Sequence, residues 1–196
     1  MNYSNWKIEE CPADKLKMFT DAGYPALLAA LLSVRGLGSV QEAKSFLDGG
    51  AELLCDPLLM KDMDRAAARI RRALSMRETV AVYGDYDVDG ITSTCLLTDW
   101  LRSRGLECYP YIPDRIGEGY GLNSAAIDTL HGKGVSLIIS VDCGITAAEE
   151  AKHAKEVGVD LIITDHHECR EQTIPEAIAV IDPKQDDCMY PNKDLA

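Results

Sequence analysis

From Thr79 onward the chain alternates short apolar runs with longer amphipathic ones. TVAVY from Thr79, ECYPYI from Glu107, VSLIISV from Val135, VDLIIT from Val159 and a final IAVID from Ile178 each have the length and composition of a strand. Between them lie ITSTCLLTDWLRSRG, a stretch from about Asn123 to His131, and TAAEEAKHAKEVG, which read as helices. Strands that alternate with helices imply right-handed crossovers. The fold class expected is α/β, with a mainly parallel sheet and helices on both faces.

Before Thr79 the pattern is helical. PALLAALLSVRG, from Pro25, has the apolar density of a buried helix that Gly36 stops. SVQEAKSFLDGG reads as a second helix, with Ser39 as its cap, Glu42 three residues later and glycines at its end. DPLLMKDMDRAAARIRRALSMRE gives a third, with Ala66, Ile70, Ala73 and Leu74 on one side. The organisation expected is a helical segment over residues 1–77 followed by an α/β domain over residues 78–196. The last residues, KQDDCMYPNKDLA, are polar and reach no closing element, so that domain is expected to be incomplete at its carboxyl end.

Composition narrows the function. A net charge of −12 and a pI near 4.7 argue against a broad positive surface that grips nucleic acid by neutralising phosphates. A polyanionic substrate would have to be met by metal ions and a few arginines. Cys11, Cys55, Cys95, Cys108, Cys143, Cys169 and Cys188 form no CxxC pair, and their number is odd. They suggest neither structural zinc nor a closed disulfide framework, and most are expected to be buried small hydrophobes in a reducing compartment. MNYSNWKIEE has no basic start followed by an apolar run, and no stretch approaches the roughly 18 apolar residues of a spanning helix. The location expected is the cytoplasm, with no membrane association.

The chemistry lies just beyond the strands. TVAVY runs into Gly-Asp-Tyr-Asp-Val-Asp-Gly, VSLIISV into Asp142-Cys143-Gly144, and VDLIIT into Asp165-His166-His167. In an open parallel sheet the carboxyl ends of the strands line one crevice, so Asp85, Asp87, Asp89, Asp142, Asp165 and His166 can converge there. An Asp after a strand is often only a turn residue or a helix cap. Three such clusters together would repel one another strongly without cations, which favours a divalent metal site. Carboxylate oxygens with imidazole suit Mn²⁺ or Mg²⁺, the histidine favouring Mn²⁺. A calmodulin-like calcium loop is excluded because Leu96 stands at the twelfth position from Asp85, where such a loop needs Glu. Neither GxGxxG nor GxxxxGK[ST] occurs, which removes the fingerprints of dinucleotide and P-loop sites.

In PDRIGEGYGLN, Gly117, Gly119 and Gly121 suggest a flexible loop, and its Arg115 is a candidate phosphate holder, with a surface ion pair as the plainer alternative. His131 and His153 have no acidic cluster beside them in the sequence and are left out of the site. Arg65, Arg69, Arg71, Arg72 and Arg77 form a basic run that reads better as a solvated helix face than as a nucleic-acid contact.

With GDYDVDG, PDR followed by EGYGL, VDCG and DHH in that order, the chain resembles the DHH phosphoesterases and, within them, the RecJ-type single-stranded-DNA-specific exonucleases. The helical LLAALLSVRGL, EAKSFL and DPLLMKDMDRAAARI extend the resemblance over nearly the whole chain. It implies Asp87 and Asp89 as metal ligands with Asp85 close by, Asp142 bridging two metals, His166 as a ligand and His167 facing the scissile phosphate. Asp165 and His167 are the catalytic pair it suggests. Many DHH enzymes have a histidine four residues before the DxD pair, where this chain has Tyr83. A further aspartate ligand and further domains of the family lie beyond what 196 residues can hold.

The activity implied is 5′ to 3′ hydrolysis of single-stranded DNA in repair and recombination, with two Mn²⁺ or Mg²⁺ ions and with recombination or replication proteins as possible partners. Two rival readings stay open. One is a DHH phosphoesterase acting on oligonucleotides, cyclic dinucleotides or pyrophosphate; the other is a metal-binding fragment without turnover.

Overall fold

The computed structural model describes residues 9–50, 53–169, 174–193 and 195. The readings that fall on residues 1–8, and on Asp194 and Ala196 of the polar ending, lie outside these. The chain divides into two compact units, Met1–Leu54 and Cys55–Ala196.

The first unit holds three short helices, α1 (Ala13–Asp21), α2 (Ala26–Val34) and α3 (Val40–Asp48). Its core is Phe19, Ala29, Leu32 and Ala43, with Leu16, Leu28 and Leu37 packed against them. Gly36 ends α2 at a φ of 86°, a left-handed conformation that glycine adopts without steric penalty. Ser39 caps α3 by accepting from the Glu42 amide at 3.1 Å, and Glu42 accepts in return from the Gly38 amide at 2.7 Å.

The second unit is the α/β domain. A short 3₁₀ turn, Pro57–Leu59, leads into α4 (Met63–Met76), β1 (Thr79–Tyr83), α5 (Val88–Ser103), β2 (Glu107–Tyr111) and α6 (Ser124–Gly132). Then come β3 (Leu137–Val141), α7 (Ala148–Val157), β4 (Asp160–Thr164) and β5 (Ala179–Ile181). All neighbouring strands are parallel, in the order β2-β1-β3-β4-β5.

Alternation along the strands separates two cores. Val80, Val82, Leu137, Ile139 and Ile162 face Ala66 and Ala73 of α4 and Leu101 of α5. Ala81, Tyr83, Ile138, Leu161 and Ile163 face Ala126, Ile127 and Leu130 of α6 and Ala151 and Ala154 of α7. The expected two-sided parallel α/β sheet is therefore what forms. The division at residue 77 is not where packing puts it: α4 belongs to the sheet, because its alanine face completes the core over β1, β3 and β4.

Two sequence expectations need correction. Helix α1 is not one of them: it falls within the helical segment expected, although Leu16 and Phe19 are too few to show its period. Only Cys108, Cys143 and Cys188 are buried, and Cys95 is exposed. Arg69 is no part of a solvated face. It is buried, and donates from Nε to Asp160 and from Nη2 to Glu78, each at 2.6 Å, while Ser136 donates to the same Glu78 oxygen at 2.7 Å. This network joins α4 to the amino ends of β1, β3 and β4.

The outer strands are tied by side chains. On β5 the Val180 amide donates to Asp62 at 3.1 Å, and its carbonyl accepts from Gln185 at 2.8 Å. On β2 the Cys108 carbonyl accepts from Arg102 Nε and Nη2 at 3.0 and 2.8 Å, and Pro110 has no N–H to offer. No helix of the described residues is long and apolar enough to cross a membrane.

Replacing Arg69 with Met should destabilise the domain by about 2–3 kcal/mol, somewhat less than the roughly 3–5 kcal/mol for breaking a fully buried pair, because solvent screens the 38% exposed Asp160 side chain. Urea unfolding at an unchanged m-value checks this. A loss under about 0.5 kcal/mol would show that the network is not needed to hold α4.

Candidate metal centre

With strand order 2-1-3-4-5 the chain reverses direction across the sheet between β1 and β3, which leaves a crevice at their carboxyl ends. Asp85 and Asp87 follow β1 and Asp142 follows β3, so the acids arrive at this switch point. The ladder continues one residue past the strands. The Asp142 amide donates to the Thr164 carbonyl and the Asp165 amide to the Ile181 carbonyl, both at 3.0 Å. The side chains of Asp142 and Asp165 are thereby held beside one another.

Local structure fixes each group. Asp87 caps α5, one carboxylate oxygen accepting from the Asp89 and Gly90 amides at 3.0 Å. The Gly90 bond, with help from the Asp89 amide and the His167 charge, holds Asp87 below the usual carboxylate range. Gly90 also sets the packing. A β-carbon there would fall 2.4 Å from the Asp85 carbonyl oxygen, so only glycine lets the first turn of α5 lie on the Asp85 backbone. That approach buries Asp85, whose pKa burial raises. Asp142 sits at a φ of 59°, a conformation uncommon outside glycine, and burial raises its carboxyl too.

Two sets of potential ligand atoms result, each within 4.8 Å: Asp85, Asp87 and Asp142, and Asp142, His166 and His167. Asp142 belongs to both. His166 Nε2 lies 2.8 Å from one Asp142 oxygen, while Asp85 Oδ1 and Asp142 Oδ2 are buried without a hydrogen-bond partner among the described residues. Buried carboxylate oxygens left open beside imidazole are the hard and intermediate donors that Mn²⁺ or Mg²⁺ takes, so these residues fit such ions.

The other expected site residues take different positions. Asp165 lies outside both sets and is spent on hydrogen bonds: it accepts from the amides of Ile145 at 2.9 Å, His166 at 2.7 Å and His167 at 3.2 Å, and from His167 Nδ1 at 2.7 Å. Burial lowers the pKa of His167, but the Asp165 bond and the charges of Asp165, Asp142 and Asp87 outweigh it and leave the imidazole raised. Asp89, exposed in the first turn of α5, lines the same depression as Asp142 and His166 but falls in neither ligand set among the described residues. Arg115 is exposed and forms no ion pair among the described residues. Its guanidinium lies over the Tyr86 ring, 5.1 Å from the centroid.

Tyr83 is buried, and its hydroxyl donates to the Gly121 carbonyl at 2.8 Å and accepts from Asn123 Nδ2 at 3.1 Å. It points away from a ligand role and into the α6–α7 core. His153 pairs with Asp128 at 2.8 Å, away from the acids.

Sequence reasoning missed Asp182. It follows β5 just as the other acids follow their strands, is fully buried, and has Oδ2 without a hydrogen-bond partner among the described residues. Burial, with the Asp165 charge, raises its pKa from 3.8 to about 6. Between those values the folded state holds more protons than the unfolded chain, so stability should fall as pH rises from about 4 to about 6. In Asp182→Asn that fall should flatten. Urea midpoints between pH 4 and 7 with divalent ions chelated check this, and an unaltered fall would assign it to other groups.

The profile of the DHH family, N-terminal domain, matches residues 79–190. The single-stranded-DNA-specific exonuclease RecJ of Bacillus subtilis is 44% identical over 97% of this chain and 24% of its own length. That of Escherichia coli is 35% identical over 89% of this chain and 30% of its own length. The chain thus spans between about a quarter and a third of these relatives. A crystal structure of RecJ with Mn²⁺ from Thermus thermophilus superposes with a TM-score of 0.64 at 30% identity, covering 90% of this chain and 24% of the other. A crystal structure of exonuclease RecJ bound to manganese gives 0.62 at 35% identity, covering 73% and 35%. Strand order, acid placement and sequence agree: the chain belongs to the DHH family.

Proposed function

We propose that this chain is the metal-binding part of an exonuclease that hydrolyses single-stranded DNA from its 5′ end. The observation that carries the proposal is the sharing of Asp142 between two ligand sets, as expected of a carboxylate bridging two divalent ions. The manganese-bound RecJ structures support the metal, and the RecJ relatives support the substrate.

In this reading Asp85, Asp87 and Asp142 would hold one ion and His166 with Asp142 the other, with Asp89 lining the same depression from α5. When bound, the ions lower the pKa of a water and offset charge on the phosphate. The protein's own groups do the rest. Asp165, fixed by three amides, orients His167 through Nδ1 and leaves Nε2 as the ring nitrogen not used in that bond. Against the lowering by burial, the Asp165 bond and the surrounding acids raise the pKa of His167, the direction that a proton donor to the leaving oxygen requires. Arg115, stacked on Tyr86, offers its N–H edge to a phosphate. By the same reading the enzyme works in the cytoplasm, in DNA repair and recombination, alongside recombination or replication proteins.

Mn²⁺ should raise the melting temperature of the 196-residue chain, since a ligand that binds only the folded state stabilises it by mass action. Asp142→Asn should remove most of that rise, because it alters both ligand sets. Absence of both heat and thermal shift on titrating the parent would falsify the metal centre.

Activity is tested in a chimera in which this chain replaces the matching region of the Bacillus subtilis relative, alongside the chain alone. The chimera should release nucleotides from 5′-labelled single strands in Mn²⁺ and spare blunt duplex, whereas the chain alone should turn over slowly, lacking surface to grip a strand. His167→Ala should lower kcat about 10²–10³-fold with little change in strand binding. Preference for blunt duplex would sink the assignment; digestion confined to dinucleotides would transfer it to the small-substrate members of the family.

A further inference from the structure

A row of rings leads from the loop after β2 to the metal centre. Tyr86 and Tyr120 lie 6.1 Å apart at 80°, Tyr120 and His167 lie 6.2 Å apart at 87°, and Arg115 covers Tyr86. Tyr120 is 55% exposed, so burial does not account for its ring. The tyrosines that serve the core, Tyr83 and Tyr111, lie elsewhere and stack on each other at 5.0 Å.

The loop that carries Tyr120 is built to hold it still. Asp114 accepts from the Ile116 and Gly117 amides at 2.9 and 2.6 Å, and Glu118 accepts from the Asp114 amide at 2.7 Å and from the Tyr111 hydroxyl. Gly119 and Gly121, at φ of 85° and 80°, flank Tyr120. The Tyr83 hydroxyl fixes the loop from below at the Gly121 carbonyl. An exposed aromatic ring on an immobilised loop, beside the imidazole that faces the reaction, has its ordering entropy already spent.

We infer that Tyr120, buttressed edge-on by Tyr86, forms a stacking platform for the nucleobase of the nucleotide whose phosphate is held at the metal centre, with Tyr83 as the positioning residue of the loop. The inference rests on the nuclease reading above and specifies how that site recognises its substrate. Stacking suits a processing enzyme because every base offers a π-face, so the platform accepts all four without hydrogen-bond readout. It also requires a base: a sugar phosphate would be held by metal and Arg115 alone.

The test is calorimetric titration of the Mn²⁺-loaded chain with deoxyadenosine 5′-monophosphate, thymidine 5′-monophosphate and 2-deoxyribose 5-phosphate. Both nucleotides should bind roughly ten-fold tighter than the sugar phosphate. Tyr120→Leu should collapse that ratio towards one without altering sugar-phosphate affinity, and Tyr120→Phe should preserve it. Thermal melts of the variants establish that each is folded. Equal binding of nucleotide and sugar phosphate by the parent, or a ratio that survives in both Tyr120→Leu and Tyr86→Leu, overturns the platform and leaves the nuclease reading standing. Failure of the Mn²⁺-loaded parent to bind even the sugar phosphate overturns the nuclease reading and the platform with it.

Discussion

Because all five strands run the same way, every acid that follows a strand is delivered to the same edge of the sheet. The crowding is then enforced by backbone: the amides of Asp142 and Asp165 remain paired to the neighbouring strands, so neither residue can swing away from the other acids. The two ends of the sheet handle charge in opposite ways. At the amino ends Glu78 and Asp160 are neutralised within the fold by Arg69. At the carboxyl ends no lysine or arginine forms an ion pair with Asp85, Asp87 or Asp142 among the described residues, and burial raises two of the three carboxyls. A site of this kind costs the apo fold stability, and a divalent cation offsets that cost.

The architecture was legible because it depends on periodicity. Five apolar runs separated by helical ones specify a parallel sheet, and acids at the run ends specify where the chemistry sits. What escaped depends on partners rather than on period. The pattern of DRAAARIRR marks a helix but not the surface it covers, so α4 was grouped with the helices before it, and Arg69 among its arginines looked solvated. Asp182 obeys the same strand-then-acid rule as Asp142, yet IAVID read as one strand takes it in as the strand's last residue, whereas β5 ends at Ile181. Asp89 stands two residues from Asp87, but Asp87 is an extended cap and Asp89 is already helical, and among the described residues only Asp87 joins a ligand set.

Tyr83 shows how position along a strand decides a side chain's task. Strand alternation puts it with Ala81 on the α6–α7 face, beneath the loop after β2, whereas the acids begin two residues later, past the end of β1. Where a histidine would offer a ring nitrogen, this phenol offers a hydroxyl committed to Gly121 and Asn123, and burial raises its pKa further from ionisation. The support it gives the loop is mechanical.

The side chains bound to the two outer strands bear on how this domain can associate. Parallel sheets grow, and misassemble, when an incoming strand finds a free row of amides and carbonyls along an edge. Here the outward amide and carbonyl of Val180 are already occupied by Asp62 and Gln185, the carbonyl of Cys108 is occupied by Arg102, and Pro110 lacks a donor. Strand addition is obstructed at these positions on both borders of the sheet, so an incoming strand meets side chains there before it meets a free run of amides and carbonyls.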